Sequence, residues 1–328
     1  MSIITTRAPL RLSLGGGGTD LPSYYREHEG FLVAGAIDKY VYMMAHTVFQ
    51  KRYRMKYSEF EEVDEAWQIK HPLLREAIVR HWHGAPLEIA SVADVPSGTG
   101  MGSSGAFTVA LLKALALAKR VSVTPQALAE QACEIEIDIL GEPVGKQDQY
   151  VAAHGGICTY SFHKDDTVTV EPLELSERTL GELRTNFLLF FTGAARSASA
   201  ILADQVARTK NRDDDMLENL HRTKEIGHKS AALLQCGELS AYAELMHEHW
   251  QVKRLRSPGM TDDHIDDLYA QARRSGAIGG KLVGAGGSGF LLVYTRRPED
   301  TRRAMAKVGA SELVFDFDSQ GARGQDFL

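Results

Sequence analysis

The sequence predicts an α+β protein of two domains with a ligand-binding cleft between them. Its 328 residues exceed the ~100–200 residues of a typical single domain. Segments with strand periodicity and segments with helical periodicity follow one another along the chain, and glycine-rich runs separate them. A polar stretch ends near Thr185, and a new apolar segment follows it. This change predicts a domain boundary between residues 1–185 and 186–328.

Composition excludes several classes of protein. The net charge of −6 argues against a nucleic-acid-binding surface. No apolar run approaches the ~18 residues of a membrane-spanning helix, and residues 1–7 lack the apolar core of a signal peptide. Three cysteines and twelve histidines form neither a disulfide framework nor a metal-binding motif. We therefore expect a cytoplasmic protein with no nucleic-acid or membrane partner.

The individual elements follow from local periodicity and from helix start and stop signals. Thr124-Pro125, for example, is a cap followed by a proline in the first turn, and it begins a predicted helix that runs to about Leu140. The predicted strands include residues 10–14, 87–95, 186–192, 281–283 and 290–294. The other predicted helices are 72–82, 105–119, a short helix after Asp148, 198–235 and 238–256.

The glycine-rich run from Pro96 to Ala106 has the properties of a phosphate-binding loop. It joins a predicted strand to a buried helix, whose first N–H groups and partial positive charge attract anions. It lacks the lysine of a GxxxxGK[ST] motif, and its glycine spacing does not fit GxGxxG. A flexible connection is the alternative. The candidate phosphate-binding residues are Pro96, Gly98, Gly100, Met101, Gly102, Ser103 and Ser104.

Another glycine-rich run, from Gly284 to Gly289, formally matches GxGxxG. A strand follows it instead of a helix, so the pattern does not indicate a dinucleotide-binding site. We expect this run to be a turn that lines a ligand cleft.

Several acidic residues are placed for catalysis. Asp148 follows a glycine and proline break and precedes a short helix, so it is either a helix cap or a group that orients a substrate hydroxyl. The helix before it carries Glu134, Glu136 and Asp138, and their spacing of two residues directs them to different faces. Only one of these three can point at a given site.

Three glycine-rich runs in this order resemble the three motifs of the GHMP kinases, which include galactokinase, homoserine kinase, mevalonate kinase and phosphomevalonate kinase. The first motif extends from Arg7 to Asp20, the second is the Pro96 to Ala106 run, and the third extends from Lys281 to Phe290. The resemblance implies an ATP-binding N-terminal domain with ribosomal-protein-S5-like topology. It implies a ferredoxin-like C-terminal domain.

The same resemblance implies roles for individual residues. Asp148 would face the acceptor hydroxyl, and Arg11 would hold it ionised and stabilise the transferring phosphoryl group. Ser104 and Glu136 would bind the Mg²⁺ that accompanies ATP. The substrate-binding residues would be Gly16, Gly17, Gly18, Thr19, Asp20, Arg196, Lys253, Lys281, Gly286 and Gly287.

Within the family, the all-glycine first motif and the segment Gly145 to Tyr150 are similar to kinases that act on heptose phosphates, with fucokinases as near relatives. The expected reaction is phosphorylation of the anomeric hydroxyl of a sugar phosphate. Basic residues of the second domain would bind the phosphate that the sugar already carries; they are Arg196, Lys253, Arg256 and Lys281.

Three alternatives stay open at this point. In the first alternative, the acceptor is an unphosphorylated sugar such as L-fucose. In the second, the protein is a ligand sensor that retains the kinase fold. In the third, it is a decarboxylase of the same family. A homodimer is compatible with the sequence.

Overall fold

The computed structural model describes residues 3–49, 51–193 and 199–327. Its strands are β1 (Ile3–Gly15), β2 (Gly30–Thr47), β3 (Tyr53–Lys56), β4 (Phe60–Val63), β5 (Leu87–Ala93), β6 (Ile157–Phe162), β7 (Val168–Pro172), β8 (Phe187–Phe191), β9 (Ala277–Leu282), β10 (Phe290–Thr295), β11 (Ser311–Glu312) and β12 (Arg323–Phe327). Its helices are α1 (Pro22–His28), α2 (Pro72–His81), α3 (Ser103–Ala118), α4 (Pro125–Cys133), α5 (Gln147–His154), α6 (Glu177–Asn186), α7 (Ser199–Lys210), α8 (Asp214–Gln235), α9 (Leu239–Arg254), α10 (Asp263–Arg274) and α11 (Pro298–Lys307).

The first sheet contains β1 to β7 and β12, and the long strand β2 organises it. The first part of β2 pairs with β6, its last part pairs with β5, and β1 pairs along most of its length. These pairings are antiparallel, whereas β3 and β5 run parallel. The buried helices α3 and α5 pack against β1. The sheet therefore positions Arg11, on β1, beside both helices whose first turns contain predicted site residues.

The second sheet has the order β11-β8-β10-β9 and is covered on both faces. Leu189 and Leu292 join the core that extends into the first sheet, while Leu188 and Val293 pack against Trp250 on the other side. Burial on both faces explains why β8 and most of β10 are apolar instead of alternating. Both strands were predicted correctly.

The two sheets agree with the predicted α+β class. The second sheet begins at Phe187, close to the predicted boundary, but β12 returns to the first sheet and pairs with β1. The division at residues 185 and 186 stays a prediction. Within the described residues, no helix is both long enough and apolar enough to cross a bilayer.

Two predicted helices differ from the structure. The continuous helix predicted over 198–235 is wrong, because Arg212 adopts a φ of 54° and Asp213 caps a new helix by accepting a hydrogen bond from the Met216 amide. The helix predicted from Pro125 to about Leu140 changes to a π-helical segment, Glu134–Ile139. Such π-segments are frequent at functional sites.

Two glycine-rich runs pack backbone against backbone. A Cβ atom on Gly284 would lie 2.4 Å from the Gly100 Cα, and one on Gly289 would lie 2.2 Å from the Thr99 carbonyl oxygen. Gly284 also has a positive φ of 75°. Only glycine meets both demands, so this contact fixes the third run against the second.

We predict that Gly284→Ala destabilises the protein by about 1–3 kcal/mol more than Gly309→Ala, because overpacking adds to backbone strain. Gly309 has a φ of 78° and open space where its Cβ would stand, so it carries the backbone strain alone. Urea unfolding of both variants measures the difference. Equal free energies of unfolding would contradict the backbone contact.

Candidate active site

A cleft of about 630 Å³, including its opening to solvent, lies where elements of both sheets meet. One side is formed by β1, the first glycine-rich run and the start of α5. The other side is formed by α7, α9, β9 and the third glycine-rich run. The residues lining it are Arg11, Ser13, Gly17, Gly18, Asp20, Leu21, Gly145, Gln147, Asp148, Leu202, Gln205, His249, Lys253, Arg256, Lys281, Leu282, Gly284 and Ala285.

Arg11 and Asp148 form an ion pair at this cleft. Arg11 Nε and Nη2 both lie 2.7 Å from Asp148 Oδ1, and Arg11 Nη1 donates to the Gly100 carbonyl at 2.5 Å. The Arg11 side chain is 7% exposed and that of Asp148 is 24% exposed. The guanidinium is therefore held by the protein while one face of the carboxylate stays open to a substrate hydroxyl.

Asp148 is not the cap of α5, because Lys146 occupies that position. Asp148 lies in the first helical turn, where the helix dipole favours a negative charge. A Cβ on Gly105 would lie 2.7 Å from the Asp148 Cβ, and one on Gly102 would lie 3.0 Å from its carboxyl carbon. The absence of side chains at both glycines brings the carboxylate against the phosphate-loop backbone.

The predicted phosphate-binding run surrounds the start of α3. Gly102, with a φ of 77°, is the cap residue, so Ser103 and Ser104 occupy the first helical turn, and Ser104 is exposed. Pro96 and Gly98 are exposed, whereas Met101 is buried and supports the loop by packing. The helix start presents unpaired amides beside a solvent-facing hydroxyl, which is an arrangement that attracts phosphate.

Of the three acids before Asp148, only Glu136 faces inward. Glu134 and Asp138 are exposed, whereas Glu136 is 2% exposed and lies near Ser104, Thr108 and Gln149. Burial raises the Glu136 pKa to about 7, although hydrogen bonds from these neighbours oppose that rise. Its Oε1 has no hydrogen-bond partner in the part of the chain that the structure describes.

This orphaned carboxylate oxygen beside a serine hydroxyl fits the hard oxygen ligands that Mg²⁺ prefers. No group of three or more His, Cys, Asp or Glu side chains in the described ranges is arranged to hold a metal ion alone. A site of one carboxylate and one hydroxyl would need nucleotide phosphates to complete it. Bound Mg²⁺ would neutralise phosphate charge there.

Asp20 holds the first glycine-rich run against α5. Its Oδ1 accepts a hydrogen bond from the Gly18 amide at 3.1 Å, and its Oδ2 accepts one from the Gln147 amide at 3.1 Å. Burial raises the Asp20 pKa, and the nearby Asp148 charge adds to this effect against the opposing amide bonds. Thr19 is fully buried and donates to backbone carbonyls, so it supports the loop.

The opposite side of the cleft carries buried cations. Lys253 donates to the Leu282 and Gly284 carbonyls at 2.8 and 2.5 Å, and Lys281 Nζ lies 3.3 Å from His249 Nδ1. Burial, followed by the positive charge of Arg256 and Arg11, lowers the Lys281 pKa to about 7. Burial is also the main cause that lowers the Lys253 pKa and brings that of Arg256 to about 10.

Not all predicted substrate-binding residues reach this cleft. Gly16 packs against the Phe31 carbonyl, and Gly286 and Gly287 pack against residues 259–260; the run's cleft-facing residues are Gly284 and Ala285. Arg196 lies outside the described residues. Four polar side chains of the cleft were missed from the sequence, namely those of Ser13, Gln147, Gln205 and His249.

Comparison with known families agrees with this fold. The model for the GHMP kinases N terminal domain matches residues 68–156, and the GHMP kinases C terminal model matches residues 216–311. The chain belongs to the GHMP kinase family, whose members use ATP. The predicted family and two-domain fold are confirmed.

Among its relatives is the D-glycero-alpha-D-manno-heptose 7-phosphate kinase of Campylobacter jejuni, 28% identical over 98% of this chain and 99% of that protein. The bifunctional fucokinase/GDP-fucose pyrophosphorylase of Arabidopsis thaliana is 26% identical over 90% of this chain but only 30% of its own length. A crystal structure of a D-glycero-D-manno-heptose 1-phosphate kinase from Bacteroides thetaiotaomicron superposes with a TM-score of 0.81, at 24% identity and 99% coverage of both chains.

We predict that Asp148→Asn lowers kcat about a hundredfold or more and leaves the Kd for ATP nearly unchanged. The amide cannot accept the hydroxyl proton, and the side chain faces the acceptor side of the cleft. ADP-release kinetics and calorimetry of ATP binding measure the two constants. Asp300→Asn, in an exposed ion pair on α11, is the control. Near-normal turnover of Asp148→Asn would exclude this role.

We also predict that Glu136→Gln raises the Mg²⁺ concentration for half-maximal turnover at least tenfold, on the order expected for a lost oxygen ligand. Glu134→Gln is the matched control, because it makes the same change on an exposed residue of the same segment. Mg²⁺ titrations of turnover and of ATP binding both report the effect. A raised Mg²⁺ requirement in Glu134→Gln, with none in Glu136→Gln, would place the metal ligand at residue 134.

Proposed function

We propose that this protein transfers the γ-phosphoryl group of MgATP to the anomeric hydroxyl of a sugar phosphate. The proposed substrate is D-glycero-D-manno-heptose 7-phosphate, and the product is the 1,7-bisphosphate. The observation that carries this proposal is the set of buried cations, Lys253, Arg256 and Lys281, that lines the same cleft as Asp148.

These cations lack acidic partners. Arg256 donates to Asn219, Thr223 and the Gly17 carbonyl, while Lys253 and Lys281 contact carbonyls and an imidazole. None of the three forms a salt bridge within the described residues, and each is 6% exposed or less. Uncompensated buried charge destabilises a protein, whereas a bound dianion would offset that cost. A phosphate on the acceptor supplies such a dianion.

The remaining residues suit phosphoryl transfer. Asp148 would orient the acceptor hydroxyl and accept its proton, and Arg11 would keep Asp148 ionised and stabilise charge on the transferring group. The amides at the start of α3 would bind the ATP phosphates. Ser104 and Glu136 would hold Mg²⁺. In this proposal, donor and acceptor would lie on the two sides of the Arg11–Asp148 pair.

The name of the C. jejuni relative supports a heptose phosphate as the acceptor, since the match extends over nearly the whole of both chains. The plant fucokinase supports the alternative acceptor, an unphosphorylated sugar, over a smaller part of its own length. Lys253 weakens the phosphate proposal in one respect, because two of its three donors already hold the third glycine-rich run. Lys281 and Arg256 are then the main phosphate ligands.

We predict that the kcat/KM for heptose 7-phosphate is at least tenfold higher than the kcat/KM for heptose. We also predict that Lys281→Met raises the KM for the sugar phosphate about ten- to a hundredfold, while the KM for ATP changes little. Because protonated Lys281 binds the dianion, the wild-type KM for sugar phosphate rises as pH increases above about 7. This rise is absent in Lys281→Met.

Lys229→Met removes the same charge from an exposed position on α8 and is the matched control. Equal use of heptose and its 7-phosphate, with an unchanged KM in Lys281→Met, would replace the proposal with the unphosphorylated-sugar alternative. No ATP consumption with any sugar or sugar phosphate would favour a non-catalytic sensor.

A further inference from the structure

Among the described residues, three side chains that line the cleft carry a buried polar atom for which no other described residue is a hydrogen-bond partner. They are Ser13 Oγ, Gln147 Nε2 and His249 Nε2, on residues that are 6%, 5% and 1% exposed. Buried polar groups are nearly always paired in folded proteins, because an unpaired one costs free energy. Orphaned atoms at a cleft wall therefore indicate where a ligand's polar groups are received.

Ser13 and Gln147 lie together on one side of the cleft. A Cβ on Gly17 would lie 2.7 Å from Ser13 Oγ and 4.0 Å from Gln147 Oε1. The missing side chain at Gly17 thus lets the backbone of the first glycine-rich run approach Ser13 closely and Gln147 at van der Waals distance. His249 belongs to the other side, since its second ring nitrogen contacts Lys281.

Asp20, which the family resemblance implies as the sugar-hydroxyl ligand, is engaged differently. Both of its carboxylate oxygens accept backbone amide hydrogen bonds, one of them from Gln147 itself. Asp20 therefore fixes the start of α5 and orients Gln147. Among the described residues on this side, the polar atoms without a hydrogen-bond partner are Ser13 Oγ and Gln147 Nε2.

We propose that Ser13 and Gln147 bind the sugar hydroxyl next to the one that is phosphorylated, and so determine specificity for the acceptor. Gln147 directly precedes Asp148 in the first turn of α5, and both residues line the same cleft. The Gln147 NH₂ group donates to the neighbouring hydroxyl, and the Ser13 hydroxyl accepts from it. The inference rests on the proposed function, since it requires a sugar acceptor.

The test compares the parent sugar phosphate with its 2-deoxy analogue, which lacks the hydroxyl adjacent to the anomeric one. The wild-type protein is expected to favour the parent about a hundredfold in kcat/KM, since a site built around a hydroxyl rejects its absence. Gln147→Leu reduces this preference to about tenfold, and Ser13→Ala combined with Gln147→Leu reduces it to within about threefold of unity. The KM for ATP stays the same.

Gln205→Leu is the matched control, because Gln205 also lines the cleft but its amide already donates to the Gly18 carbonyl at 2.8 Å. It changes turnover of the two sugars alike. If Gln147→Leu does not fold, Ser13→Ala, which removes one oxygen atom, carries the test alone.

The outcomes separate the two proposals. An undiminished preference for the parent sugar in the variants overturns the role of Ser13 and Gln147 and leaves the proposed function standing. Equal use of both sugars by the wild-type protein also overturns that role. A wild-type protein that phosphorylates no sugar or sugar phosphate overturns both.

Discussion

The buried guanidinium of Arg11 joins three separate parts of the chain. It contacts the Asp148 carboxylate on α5 and the Gly100 carbonyl of the phosphate loop, while the Arg11 amide donates to the Met101 carbonyl. Lysine would not replace it, because a single ammonium lacks the planar set of donors that serves both partners. Loss of this group would leave a partly buried carboxylate unpaired, which commonly costs about 3–5 kcal/mol. The relative positions of the nucleotide loop and the acceptor side thus depend on one side chain.

The cleft also shows how folding and binding oppose each other. Lys281, Arg256 and Lys253 are buried without acidic partners among the described residues, and Glu136 retains an unpaired oxygen. Each of these features lowers the stability of the empty protein. Together they are complementary to anionic and cationic ligands, so binding restores the interactions that folding leaves incomplete. Such a protein is expected to gain stability when both substrates are present.

The sequence predicts those parts of the site that depend on local backbone chemistry. Glycines and a helix start identify the phosphate loop, and the break at Gly145 identifies Asp148, because short segments determine these features. Helix faces are harder to predict. The spacing of Glu134 and Glu136 does not predict which side chain points at the site. In the structure, the π-helical segment of residues 134–139 buries Glu136 and leaves Glu134 exposed.

Residues that reach the cleft from distant elements had no local signal. Gln205 and His249 lie inside ordinary amphipathic helices, and only the packing of α7 and α9 directs them to the site. The contacts of Lys253 were also not predictable from local sequence. Its charge was predictable, but its engagement with the Leu282 and Gly284 carbonyls depends on the approach of β9. Gln147 is the exception, since its position beside Asp148 was a usable signal.

The pairing of β12 with β1 has a consequence for how the protein is made. Residues 323–327 lie opposite residues 3–7, so the strand that carries Arg11 gains its second neighbour only after all the residues between them have been synthesised. Contacts between such distant segments form slowly, because a long loop must close first. The nascent first sheet therefore has an open edge until β12 is synthesised, and this edge is where chaperones would bind or aggregation would begin.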